Sequence, residues 1–154
     1  VVYSGNIAGA LEGTILGFPS FALSQEFSME TRDRPLWETA LKFGPQILRK
    51  VIDAGIPKNT VVNVNFPACA PEDVAGVLVT RQGKRNLGFL KIEERRDGRG
   101  NPYFGLGFER AAMMDTPVKG TDLAALAARC VSVTPLRLDR TDDVFAEALT
   151  ATLK

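Results

Sequence analysis

Between an apolar segment, Val1-Val2-Tyr3, and a run of mostly small residues from Ile7 to Leu11, the chain places Ser4-Gly5-Asn6. That order reads as a strand, a tight glycine turn and a helix opening, the unit from which α/β folds are built. It also makes a ready anion site, because free backbone N–H groups and the positive end of the helix dipole converge where the helix begins. The Ser4 hydroxyl and the Asn6 amide add side-chain donors of the kind that suit phosphate oxygens. The same three residues serve equally well as a plain turn, and a lone glycine turn does not choose between these readings. With no initiator Met and nothing ahead of the first strand to pair with it, the chain is expected to be the back part of a larger α/β protein.

The alternation of strand and helix continues downstream. Gly17 and Pro19 end the opening helix, and the apolar run from Phe21 suits a strand buried on both faces. Pro35 is expected to open a second helix, with Trp37, Ala40, Leu41, Gly44, Ile47, Leu48, Val51 and Ile52 on one face and Trp37 in the core. Pro45 inside it predicts a kink, and Gly55 and Pro57 close it. From Thr60 to Phe66 the chain alternates, with Val62, Val64 and Phe66 on one side and Asn63 and Asn65 on the other, which is a strand. Gly76–Thr80 and Val131–Leu136 read as further short strands. Thr121 is expected to cap a helix through Arg129 that buries Leu123, Leu126, Ala127 and Cys130. Thr141 or Asp142 caps a last helix bearing Phe145, Leu149 and Leu153. The result is one α/β domain over 1–154, built on a mostly parallel sheet.

Residues 81–110 break this rhythm. Phe89 to Arg95 and Asn101 to Leu106 flank Asp97-Gly98, a strong hairpin signal, and the charged flanks predict an arm that projects from the core. Gly105 and Gly107 weaken the return strand. Tyr103, Phe104 and Phe108 would stack on a base or anchor a partner subunit, and the sequence favours neither.

Composition narrows the chemistry. Histidine is absent, which removes the commonest general base and the commonest zinc ligand. Cys69 and Cys130 lie far apart in no metal-ligand spacing and read as free thiols of a reducing compartment. Nineteen Lys and Arg against 18 Asp and Glu give a net charge of +1, which argues against a non-specific nucleic-acid or membrane binder. No apolar run reaches the length needed to span a bilayer. Arg81, Lys84 and Arg85 would serve a nucleotide phosphate, an RNA or a solvated edge; nucleic acid is not expected as a partner. Asp142-Asp143, a tempting carboxylate pair for a metal, reads as a helix cap that complements the dipole.

The motifs taken together resemble the SurE (survival protein E) family of metal-dependent nucleotidases. Tyr3-Ser4-Gly5-Asn6, Ala10-Leu11-Glu12-Gly13 and Leu16-Gly17-Phe18-Pro19 are similar to its opening YSGT…A…EG…G.P segment. Asn63-Val64-Asn65-Phe66-Pro67, Thr80-Arg81-Gln82-Gly83, Thr121-Asp122 with Leu126, and Ser132-Val133-Thr134-Pro135-Leu136 follow in the family's order. The resemblance implies a three-layer Rossmann-like core with a projecting β-hairpin arm and a C-terminal helix. It further implies a cytoplasmic enzyme that hydrolyses nucleoside 5′-monophosphates, with 3′-monophosphates open, using a divalent ion such as Mg or Mn. The ligands of that ion are expected upstream of this chain, so no catalytic or metal-binding residue is assigned here and the chain alone is expected to be inactive. Ser4, Gly5 and Asn6 are assigned to phosphate binding, Asn6 standing where the family carries Thr. A homodimer or homotetramer formed through the hairpin and the last helix is implied as well, although Gly105-Leu106 stands where the family carries a Trp-Ile pair. A reading from a different class is a non-catalytic oligomerisation module.

Overall fold

The computed structural model describes residues 4–28, 30–84, 90–108 and 116–153, with the side chains of 90, 91 and 106–108 left aside. The strand expected at Val1-Val2-Tyr3 lies outside the described residues. The first helix, α1, spans Gly5–Ile15. Ser4 is its N-cap rather than part of a turn, because its Oγ accepts the Ile7 N–H at 3.3 Å and makes Gly5 and Asn6 the first helical residues. The other end closes on Gly17 at φ 88°, with Phe18 N donating to Gly13 O and Gly17 N to Thr14 O, both at 3.0 Å. This pairing satisfies carbonyls that the helix would otherwise leave open.

Strand β1, Ser20–Gln25, pairs in parallel with β2, Thr60–Phe66. Strand β3, Gly76–Val79, pairs in parallel with the last strand, Cys130–Arg137, which runs antiparallel to β2. Among the described residues the sheet is therefore mixed and mostly parallel, with the last strand lying between β2 and β3. Residues on β2 alternate between the two faces. Val62, Val64 and Phe66 meet Ile47 of α2, Trp37–Ala54, whereas Val61 meets Ile7 and Ala10 of α1. The helices thus cover opposite faces, which gives three layers. Leu23 is exposed rather than buried on its face, since β1 has a strand neighbour on one side only among the described residues.

Two expectations about α2 are corrected. It starts at Trp37, with Leu36 as its N-cap and Pro35 outside it. Trp37 and Leu41 are exposed, at 57% and 73%, and are not core. The buried line runs through Ala40, Phe43, Gly44, Ile47 and Val51. Leu41 and Ile52 lie about 100° or more round the helix from the middle of that line, and so face away from it. The helix continues through Pro45, which supplies no N–H for the Leu41 carbonyl.

Strands β4, Leu90–Arg96, and β5, Pro102–Phe108, form a separate antiparallel pair. Register runs from Arg96↔Pro102 to Leu90↔Phe108, so the ladder passes Gly105 and Gly107 without breaking. The turn does not place its left-handed residue at Gly98. Gly100 takes φ 84°, and the Asp97 Oδ1 accepts the N–H groups of Arg99 and Asn101 at 2.8 and 2.9 Å.

Helix α3 is shorter than expected, Asp122–Ala127, capped by Thr121. Arg129 is left-handed at φ 55° and turns the chain into Cys130, the first residue of the last strand, β6. Of the residues expected to be buried on this helix, Ala127 is exposed; Ala125 is buried instead. Pro135 is tolerated in β6 because it lies beyond the last pair with β3, Val79↔Val133. Helix α4, Asp143–Thr152, is capped by Asp142, whose Oδ1 accepts the Phe145 N–H at 3.1 Å. Phe145, Leu149 and Leu153 are all exposed.

Candidate functional site

Helix α1 lies against β1 in the opposite direction, so its N-terminus sits beside the carboxyl end of β1. Asn6 Nδ2 fixes this placement, donating to Leu23 O at 3.3 Å and to Ser24 Oγ at 3.4 Å. At the other end, a Cβ added to Gly13 would lie 2.5 Å from Ser20 Oγ, so only glycine admits this close approach. The carboxyl ends of parallel strands are where open α/β sheets take ligands.

Three donors collect there. The first intrahelical bond runs from Ala8 N to Ser4 O, and the Ile7 N–H is taken by Ser4 Oγ. The Gly5 and Asn6 N–H groups precede both and have no acceptor among the described residues, as expected for the first turn of a helix. Ser4 accepts from Ile7 through an oxygen lone pair, which leaves its own O–H to donate. Gly5 has nothing within 4 Å of where a Cβ would stand, so a ligand can approach its amide. The three expected phosphate-binding residues are thus consecutive at one helix end. The Asn6 side chain, however, turns toward β1, and its backbone N–H is the group left open to a ligand. An open groove of about 450 Å³ runs from Asn6 past Gly9 and Ala10 along Ser20–Leu23.

Several residues that support this end of the sheet carried no sequence signal. Gln25 Nε2 donates to Pro67 O at 2.8 Å and reaches Glu26 O at 3.1 Å and Phe66 O at 3.4 Å, clamping the ends of β1 and β2. Its buried Oε1 has no partner among the described residues. Glu26 Oε2 accepts the Ala68 N–H at 3.2 Å, and Thr39 Oγ1 donates to Cys69 O at 2.6 Å. A glutamine at the end of an apolar strand is the one hint the sequence offers. Burial, with Asp73 adding to it, pushes the Cys69 thiol up, away from the thiolate form.

Two motifs quoted separately from the sequence meet in space. The Asp122 carboxylate accepts the Gly83 N–H at 2.7 Å, while Arg81 N donates to Gly120 O and Asp122 N to Arg81 O, each at 2.9 Å. A Cβ on Gly83 would fall 2.7 Å from that same carboxylate oxygen. Among the described residues, no group of three or more His, Cys, Asp or Glu is placed to hold a metal ion. The described residues therefore do not form a metal cage of that kind. No described helix is long and apolar enough to cross a membrane.

Comparison with known proteins decides the lineage. The family model described as "Survival protein SurE" matches residues 1–88. The chain belongs to the SurE family. It is 84% identical over 154 residues to a protein of Nitrobacter hamburgensis named 5′-nucleotidase SurE, covering all of this chain and 60% of that one. A protein of the same name from Nitrobacter winogradskyi is 80% identical over the same span. Among solved structures, the SurE protein from Aquifex aeolicus is similar, with TM-score 0.73 and 35% identity, over 99% of this chain and 59% of that one. The chain spans about 60% of the length of the curated relatives it matches.

Proposed function

We propose that this SurE chain is the carboxyl-terminal part of a cytoplasmic nucleotidase that releases phosphate from nucleoside 5′-monophosphates, with 3′-monophosphates left open for the same assay. The observation that carries the reading is the trio of free donors at the start of α1, placed at the ligand-taking end of the sheet. The likeness to proteins named 5′-nucleotidase supports it. Within this reading the Gly5 and Asn6 amides and the Ser4 hydroxyl hold non-bridging phosphate oxygens. The helix dipole favours the negative charge that gathers on them during hydrolysis. Asn6 also fixes the helix end against β1, so the donors are held in place before the substrate arrives. A divalent ion, Mg or Mn, is part of the proposal, and its ligands belong to segments other than this one. The test is phosphate release from a panel of nucleoside monophosphates with each metal. The protein extended to its relatives' full length should hydrolyse them, and the 154-residue chain should not. Failure of the extended protein with every metal and every nucleotide would defeat the reading.

Self-association is proposed alongside. Helix α4 exposes Val144, Phe145, Leu149 and Leu153, and the hairpin exposes Ile92, Tyr103 and Phe104. Apolar groups in this density mark contact surfaces, and a homodimer or homotetramer formed through the projecting arm and the last helix would cover them. Should the extended protein prove inactive, the same surfaces support an oligomerisation module without chemistry. A strict monomer by light scattering at micromolar concentration would remove both forms of this proposal.

A further inference from the structure

We propose that the pocket between α1, the turn after β3 and the end of β6 is a second anion site, for a phosphate monoester that carries an apolar or aromatic group. Its volume is about 280 Å³, just below the range of about 300–1,000 Å³ typical of ligand pockets, so the ligand is a small one. Ile7, Leu11 and Leu136 form an apolar floor, and Gln82, Arg137 and Arg140 stand around it. Among the described residues neither arginine is in an ion pair. Two guanidinium forks match phosphate oxygens, an apolar floor receives a flat ring, and a carboxamide both donates and accepts, as a base edge requires.

The anion in the pocket is Asp139. Its Oδ1 accepts from Thr141 N at 2.8 Å and from Thr141 Oγ1 at 2.6 Å, so its carboxylate is held by the turn into α4. It offsets one of the two positive charges and leaves the pocket net positive. The backbone on both sides of Gln82 is fixed by the bond from Gly83 N–H to the Asp122 carboxylate and by those between Arg81 and residues 120–122. Thr80, just before, is tied to β6 through Ser132 Oγ at 2.8 Å and Thr134 Oγ1 at 2.6 Å. The site does not rest on the reading of the α1 N-terminus, which uses Ser4 and the Gly5 and Asn6 amides and none of the pocket's residues.

The test is a titration of the ¹⁵N-labelled chain, with a metal chelator present, followed by NMR. Adenosine 5′-monophosphate, inorganic phosphate and adenosine are added separately. The Nε–H signals of Arg137 and Arg140, assigned with Arg137→Gln and Arg140→Gln, report this pocket; the Gly5 and Asn6 amides report the other site in the same spectra. The nucleotide should move the arginine signals at about a tenth of the concentration that phosphate requires, adenosine should move them least, and either Arg→Gln variant should weaken the nucleotide effect about tenfold. Asp139→Asn should strengthen it, a direction that loss of structure would not produce. Arginine signals unmoved by the nucleotide, moved equally by phosphate alone, or weakened in their response by Asp139→Asn would overturn the proposal.

Discussion

Two glycines in α1 are expected to respond to alanine in opposite directions. Gly9 has nothing within 4 Å of an added Cβ, so Gly9→Ala should stabilise by about 1 kcal/mol, the ordinary difference between the two residues in a helix. Gly13→Ala brings the same gain, but its Cβ would stand 2.5 Å from Ser20 Oγ. That hydroxyl donates to Phe18 O at 3.0 Å, and Ser20 is buried. Rotating it away leaves a buried donor unpaired, at a cost of about 1–3 kcal/mol. Gly13→Ala should therefore come out roughly 2 kcal/mol worse than Gly9→Ala. Ser20→Ala removes the obstacle, since the remaining Cβ would lie 3.6 Å from the new one, an ordinary contact. In that background Gly13→Ala should turn stabilising by about 1 kcal/mol, a coupling readable from a double-mutant cycle. Urea unfolding followed by circular dichroism supplies the four free energies. If Gly13→Ala were as stabilising as Gly9→Ala with Ser20 intact, the close packing of α1 on β1 would be wrong, and the donors at its N-terminus would lose their placement.

Phe66→Ala empties a position that is 1% exposed and touches the core beneath α2; a loss of about 3–5 kcal/mol in the same assay is expected. Ser4→Ala removes the N-cap and should cost about 1 kcal/mol by urea unfolding, with fraying of the first turn of α1 visible in amide exchange. The Asn101 side chain and backbone, with the Arg99 amide, hold the Asp97 carboxyl below the usual carboxylate range. A depressed value means that the turn's support is present above the unfolded-state value of about 3.9 and is lost as pH falls through the folded one. Exchange protection at the Arg99 and Asn101 amides should drop in that acid window, and Asp97→Asn should abolish the pH dependence.

Where the cause is local, the sequence is a good guide. The Val and Asn alternation of β2, the Gly17 and Gly55 helix ends and the Asp142 cap depend on neighbours within a few residues. Ser4-Gly5-Asn6 reads from the sequence as a tight turn ahead of a helix opening at Ile7, whereas Ser4 is the cap and Gly5 and Asn6 are already helical; serine and glycine favour turns and caps alike. Trp37 and Phe145 show why amphipathic spacing falls short: it says that a face is apolar, not that anything covers it. The candidate site depends mostly on distant contacts. Asn6 meets Leu23 across 17 positions and Asp122 meets Gly83 across 39, separations at which single-sequence patterns are silent. The Gln25 clamp, reaching Pro67 across 42 positions, is hidden for the same reason.

Whether the amides opening α1 receive a phosphate is decided by titrating inorganic phosphate into the ¹⁵N-labelled chain. The Gly5 and Asn6 amide signals should show the largest saturable movements among backbone amides, and Ser4→Ala should weaken them. Amide signals at those two positions that stay in place at saturating phosphate would contradict the claim.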